Sequence, residues 1–392
     1  MVDYDPFSEA VRKDPYPAYK RLRDEAPAYY LSRYDAWAIS RFQDVWDASS
    51  DAGSYSTAKG VSPAQILTRE QPVTPMLNTL DPPAHTQLRT VIRQCFLPKH
   101  LRSLEPIARK LFEDLLEQAI SRGGSCDVVG DLGSQLSVRI ACMAIGLPAS
   151  DATYLNRLVQ AFFHHDPDTQ GMAPEGLSAL QELSDYCLYR IRECRRKPQD
   201  RPEAIHALAR FELDGRRFSD EDAASHVTML VIGGSETFPK TLANAVVRLW
   251  QYPDQRRECV KNPALIPDAY NESVRFDMPT QFLCRTLKRD VELHGQKLRK
   301  GQSAMFLYAS ANHDEREFKD PDVFDIHRRP PRILSFGAGT HQCLGTHVAR
   351  MEGKLTLESI LARIPDYKVD LEKAVRLRTE FVQGYASLPI RF

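Results

Sequence analysis

Cys343 lies in Ser335-Phe336-Gly337-Ala338-Gly339-Thr340-His341-Gln342-Cys343-Leu344-Gly345, a setting that invites metal chemistry. Glycines at 337 and 339 allow a tight turn and a close approach to a flat partner. Gly345 permits close packing where a helix over 345–363 begins, with Val348, Met351, Leu355 and Ile360 on one face. The positive end of that helix favours a thiolate. Loop N–H groups can hydrogen-bond the sulfur and tune a bound metal. The other seven cysteines are irregularly spaced, without a C-x-x-C pair, and read as free, buried thiols. A structural zinc site is not expected.

A second group is Gly233-Gly234-Ser235-Glu236-Thr237, in the middle of a helix expected over 219–250. Each interior glycine costs roughly 1 kcal/mol relative to alanine. An acid and a hydroxyl among apolar residues add a polar cost, and such local inconsistency often marks function. A widened groove with a proton supply is the chemistry this suggests. Pro239 follows closely and, lacking an N–H, is expected to kink the helix. Glu272 and Arg275 share a helix face at i, i+3; as a surface ion pair they would contribute under about 1 kcal/mol. His85 and Arg89 share another face at i, i+4, and Arg285 lies on a strand-like run. Guanidinium groups suit carboxylate ligands.

Mostly helical periodicity surrounds these residues. Helices are expected near 18–25, 83–96, 101–121, 132–145, 151–164, 174–196, 204–210, 265–276 and 345–363. Strand-like runs lie at 28–31, 37–39 and from 282 to 298, with a β-rich tail from about Tyr367. Ser219 or Asp220 can cap the 219–250 helix, whose apolar face holds Val227, Leu230, Val231, Phe238, Leu242 and Val246; unbroken, it would run roughly 48 Å. No linker is visible, so the reading is one domain over 1–392, mainly α with small β-sheets. The hydrophobic fraction of 42% fits a large core. Lys+Arg and Asp+Glu number 52 each, for a net charge of +0, which gives no basic footprint for nucleic acid. No stretch approaches about 18 consecutive apolar residues, and the first residues lack the pattern of a signal peptide. A cytoplasmic protein without membrane attachment is the expectation.

The pattern F-x-x-G-x-H-x-C-x-G, fixed by Phe336, Gly339, His341, Cys343 and Gly345, resembles the haem-binding loop of the cytochrome P450 superfamily. The order of the other motifs is similar to its soluble bacterial branch, as are Asp14-Pro15-Tyr16-Pro17 and the segment 384–389. The resemblance implies a triangular helical fold around a buried haem b (iron protoporphyrin IX), with Cys343 as axial thiolate ligand; a thiolate favours O–O cleavage. Glu236 would relay protons, and Thr237 would donate a hydrogen bond during O₂ activation. The segment departs from the family's A/G-G-x-D/E-T pattern in having Gly233 for the commoner alanine, and in the Phe238-Pro239 that follows.

By the same resemblance His85, Arg89 and Arg285 would meet the haem propionates, with Gly234, Phe336, Gly337, His341 and Gly345 also at the cofactor. Many bacterial members have a histidine where Ile333 stands, so that contact would be missing or supplied by Arg332. Glu272, Arg275 and Arg328 would form a structural network. The pocket would include Phe162, Phe163, Val231, Met278, Phe282, Phe381 and Val382, with Leu67, Met76 and Leu77 nearby. His164, His165 and Gln281 would add hydrogen bonds. An apolar substrate is favoured, of terpenoid, steroid-like, fatty or aromatic type.

Electrons would come from NAD(P)H through a ferredoxin of 2Fe-2S type and its reductase, docking near Arg93, Lys99, Arg102, Arg350 and Lys354. The activity implied is insertion of one oxygen atom of O₂. The alternatives are a haem-thiolate peroxygenase or oxidative-coupling enzyme, a haem-thiolate sensor or binding protein, and a haem-free helical protein.

Overall fold

Prolines and short polar residues set where most helices begin. The computed structural model describes residues 2–71, 73–163, 174–199 and 201–392. Helix α1 (Tyr16–Glu25) carries a proline in its first turn, a position with no N–H to lose. It leads into the antiparallel strands β1 (Ala28–Leu31) and β2 (Ala36–Ile39). Strand β3 is Tyr55–Ser56, and helix α2 (Ala84–Cys95) follows Asp81-Pro82-Pro83. Helices α3 (Glu105–Ser121), α4 (Ser134–Ile145), α5 (Ala152–Phe162) and α6 (Pro174–Arg196) build the helical body. A π-helical stretch, Val128–Gly133, precedes α4. By length and composition Val128–Ile145 is the segment, among the described residues, that could cross a membrane; 72% of it is buried inside the protein.

Helix α7 (Asp220–Ser235) starts at a capping box in which Ser219 and Asp222 satisfy each other's backbone N–H. Helix α8 (Thr237–Gln251) follows after one residue. Helix α9 (Ile266–Phe276), strands β4 (Leu283–Leu287) and β5 (Ser303–Phe306), helix α10 (Thr346–Arg363) and the antiparallel pair β6 (Val375–Arg378) and β7 (Gln383–Ser387) complete the elements that frame the site. The largest sheet among the described residues runs β1-β2-β5-β4-β3. Its β5 lies parallel to β2 and antiparallel to β4, with Ala304 opposite Arg285. One apolar cluster covers this sheet around Trp37, Phe282 and Phe306. A second joins α3, α8, α9 and α10 through Phe112, Leu242, Tyr270 and Leu355. A third joins α4 to α7 through Val138, Leu155, Leu183 and Val227.

The expectation of one helix over 219–250 is corrected. The helix breaks at Glu236 (φ −93°, ψ −34°). Pro239 has no N–H to give the carbonyl four residues back, which is that of Ser235. The buried Ser137 hydroxyl of α4 donates to that carbonyl instead, at 2.9 Å. The break therefore has a partner supplied from another element, and both halves keep the expected apolar residues Val227, Leu230, Val231, Phe238, Leu242 and Val246 buried.

Candidate active site

The cysteine loop is shaped by its glycines. Gly337 and Gly339 both have φ +65°, a conformation that L side chains rarely adopt. A Cβ on Gly339 would lie 2.7 Å from Ser50 Cα. The Cys343 N–H donates to the Phe336 carbonyl at 2.7 Å, and Thr346 Oγ1 donates to the Cys343 carbonyl at 2.8 Å. Gly345 is the residue before α10 and has φ −82°. A Cβ there would sit at an ordinary 3.9 Å from the sulfur. Gly345 thus leaves room beside the sulfur without being forced by contact with the protein's own atoms.

Cys343 alone among the eight cysteines is exposed, while six are buried and Cys194 is half-buried. Yet burial within the surrounding protein pushes its thiol pKa up, opposed by the Gly345 N–H and by Arg89. Accessible and desolvated together describe a sulfur facing an interior cleft. A bound metal ion would deprotonate such a thiol outright. Phe336 packs beside the loop, with the Arg350 guanidinium 5.3 Å above its ring. Leu344 and Val348, flanking the cysteine, pack on the same cluster as Val227, Leu230 and Val231 of α7.

Four basic side chains gather beside this loop. The His85 and His341 rings are 4.1 Å apart. Arg285 and Arg89 both act electrostatically on His341. Burial lowers the His85 pKa to about 4 and that of His341 to about 2. Both ring nitrogens of His85 are buried with no hydrogen-bond partner among the described residues. Arg285 is 5% exposed and donates to the adjacent Cys284 carbonyl at 2.7 Å. Arg89 donates to the Gln342 carbonyl, next to the cysteine. A neutral imidazole without a hydrogen-bond partner among the described residues and two guanidinium groups beside an accessible thiol fit a flat metal cofactor bearing carboxylates. The suggestion that Arg332 joins them is corrected. It forms a bidentate pair with Glu317 (2.9 and 2.8 Å), donates to Gln43 and stacks over Phe42 and Trp46.

Gly233, Gly234 and Thr237 are exposed despite their mid-molecule helices. Gly233 faces open space, whereas a Cβ on Gly234 would meet Ala141 Cβ at 3.0 Å. Gly234 thus also serves the close approach of α7 to α4. The Thr237 hydroxyl takes no protein partner among the described residues. Glu236 is ion-paired with Lys240, four residues on. Burial raises the Glu236 pKa and Lys240 opposes the rise.

Glu272 and Arg275 are not on the surface, as a bare i, i+3 pair would suggest; they are 1% and 0% exposed. Arg275 holds Glu272 through two 2.8 Å bonds and also donates to the Asn312 and Pro321 carbonyls. Arg328 reaches Glu272 at 3.0 Å, as expected. Removing one partner of such a pair typically costs about 3–5 kcal/mol. The sequence reading missed Asn312. Its side chain donates to Ser335 Oγ at 3.0 Å and accepts from the Leu334 N–H at 2.8 Å, pinning the start of the cysteine loop. Only the polar run Asn312-His313-Asp314 after an apolar strand hinted at it.

The expected pocket residues divide by burial. Phe162, Phe163, Phe381 and Val382 are half-buried, and the rings of Phe162 and Phe163 are 4.8 Å apart. Val231, Met278 and Phe282 are 1%, 6% and 0% exposed and belong to the packed core, as do Leu67 and Leu77. As surfaces a substrate touches, these are corrected: neighbouring side chains already cover them. Gln281 is corrected too. Its amide is used by Tyr19 and by the Met278 and Pro279 carbonyls. His164 and His165 lie outside the described residues.

A mainly helical chain that turns one accessible thiol and a set of basic side chains into a common cleft is a haem-thiolate type of protein. The family model Cytochrome P450 matches residues 152–382. The putative cytochrome P450 123 of Mycobacterium tuberculosis (strain ATCC 25618 / H37Rv) is 36% identical over 389 residues, covering 98% of this chain and 96% of that protein. The steroid C26-monooxygenase of the same strain is 32% identical over 381 residues, covering 96% and 93%. The structure of CYP109E1 from Bacillus megaterium in complex with corticosterone superposes with a TM-score of 0.85 at 26% identity, covering 98% of this chain and 99% of that one. This chain belongs to the cytochrome P450 family of haem-dependent monooxygenases.

Proposed function

We propose that the chain, acting as one catalytic domain over 1–392, hydroxylates an apolar, steroid-like small molecule in the cytoplasm. Electrons come from NAD(P)H by way of a reductase and a 2Fe-2S ferredoxin. The observation that carries the site is the exposed Cys343 sulfur in a loop whose His341 ring lies 4.1 Å from a His85 ring without a hydrogen-bond partner among the described residues. When bound, the haem supplies O₂ activation and transfer of one oxygen atom to the substrate.

The protein's own groups do the rest. Cys343 would hold the haem iron through its sulfur, and the Gly345 N–H would moderate the thiolate's charge. His85, His341, Arg89 and Arg285 receive the carboxylates. The Thr237 hydroxyl would donate a hydrogen bond into the cleft, and Glu236 would hand it protons. Phe162, Phe163, Phe381 and Val382 offer an apolar, water-excluding lining. A relative named for steroid oxidation and a related structure holding corticosterone support the steroid-like class.

The test is a titration of steroids, terpenes, fatty acids and aromatics, read by the spin-state change of the iron. It is followed by turnover of the tightest binder with reduced ferredoxin or with peroxide. A steroid binding most tightly and turning over with ferredoxin supports the reading. Preference for another class, or turnover with peroxide alone, contradicts it.

A further inference from the structure

The break between α7 and α8 contains a charge pair that oxygen chemistry alone does not require. Lys240 is 4% exposed, which is rare for lysine unless it is paired. Its ammonium meets the Glu236 carboxylate one helical turn back, and the side chains are 5% and 15% exposed. It also reaches the Glu236 carbonyl at 3.4 Å. A second element makes room for it. Gly384 of β7 has φ +145°, and a Cβ there would lie 3.1, 3.3 and 3.4 Å from Lys240 Cβ, Cγ and Cδ. The lysine stem therefore runs through a slot kept open by a residue 144 positions later in the chain. Gly133 packs against the neighbouring Pro239, where a Cβ would be 2.9 Å from Pro239 Cα. The Ser137 hydroxyl holds the Ser235 carbonyl. None of these neighbours titrates, and Lys240 is the charged group that acts on Glu236.

We propose that Lys240 is a positioning residue for oxygen activation: its ammonium holds the Glu236 carboxylate in an ion pair at the helix break, and Gly384 keeps open the slot its stem occupies. This rests on the reading of Glu236 as the proton relay. The pair fixes where the carboxylate waits and sets the pH range over which it carries a proton. Each proton Glu236 delivers is taken up first by a carboxylate that must loosen its hold on Lys240. The carboxylate returns to the ammonium once the proton has left.

The experiment compares Lys240→Met, which keeps the stem and removes the charge, with Lys240→Arg, each alone and with Glu236→Gln. Haem content and the reduced carbon-monoxide spectrum check that the variants are folded and loaded. The first readout is independent of turnover: infrared difference spectra, each variant minus its Glu236→Gln counterpart, at neutral pH. Lys240→Met is expected to show a protonated-carboxyl absorption that the wild type and Lys240→Arg lack.

The second readout is the pH profile of coupled turnover. A general acid works protonated, so activity falls as pH rises through the relay's pKa. Without the cation that pKa rises, and the falling limb moves to higher pH by at least about one unit, tenfold in the ionisation constant. Lys240→Arg keeps the wild-type limb, and Lys240→Met has no added effect when Glu236 is glutamine. An unchanged carboxyl spectrum and an unchanged pH limb in Lys240→Met would overturn the proposal. A full-strength effect of Lys240→Met in the Glu236→Gln background would overturn it as well. Failure of the underlying relay reading shows itself separately: coupled turnover then survives Glu236→Gln alone.

Discussion

At the scale of single residues, two side chains carry distinct expectations. Thr237 is exposed and its hydroxyl has no protein partner among the described residues, which leaves it free for the proposed role. Thr237→Ala should keep haem content and the reduced carbon-monoxide spectrum. Product formed per NAD(P)H should fall by about a hundredfold, the lower end for a positioned proton donor, with hydrogen peroxide released in its place. His85 behaves differently because burial lowers its pKa from 6.5 to about 4. As pH falls below about 6.5, the unfolded chain takes up the imidazole proton before the folded one does. Folding stability is therefore full above that pH and declines toward pH 4, by about 3 kcal/mol for a shift of this size. Denaturant titration of the cofactor-free protein at pH 7, 5.5 and 4.5 should show that decline. His85→Gln should flatten it, and equal slopes in the two proteins would count against the assignment.

At the scale of elements, the helix break is a compensated defect. Pro239 removes an N–H, and Ser137 on α4 satisfies the carbonyl left behind. A buried acceptor deprived of its donor costs about 1–3 kcal/mol. Ser137→Ala should therefore lower stability by that amount, measured by chemical unfolding. Pro239→Ala restores the backbone donor, so Ser137→Ala should cost markedly less in that background. Additive effects would show that the two residues do not share the Ser235 carbonyl. Much of this level was legible in the sequence. The helices emerged from their apolar spacing, the α7 start from Ser219, and the cysteine loop from glycines that do take positive φ. What stayed hidden came from partners distant in the chain. The kink was readable from Pro239, but the hydroxyl that satisfies the freed Ser235 carbonyl lies 98 residues away. Gln281 and Arg332 look available until Tyr19 and Glu317 claim them. The Glu272–Arg275 pair looks superficial until the carbonyls of Asn312 and Pro321 enclose it.

At the scale of the whole molecule, a charge balance of +0 conceals local asymmetry. Of the five cations expected near the cysteine face, Lys354 lies 3.9 Å from Glu105 and 4.0 Å from Glu358, and Arg350 covers Phe336. Arg93, Lys99 and Arg102 are exposed and carry no ion pair among the described residues. Reversing these three to glutamate should slow ferredoxin-supported turnover at low ionic strength. The difference should shrink as salt is raised past a Debye length of about 10 Å, with the haem spectrum unaltered. A salt-independent loss would place docking elsewhere.

Ligation of the haem iron by the sulfur of Cys343 is tested most directly by the reduced, carbon-monoxide-bound absorption spectrum of the haem-reconstituted protein. The wild type should give the thiolate-type Soret band, and Cys343→Ala should lose it while remaining folded by circular dichroism. A colourless wild-type protein after reconstitution, or a thiolate-type band that survives in Cys343→Ala, would contradict the assignment.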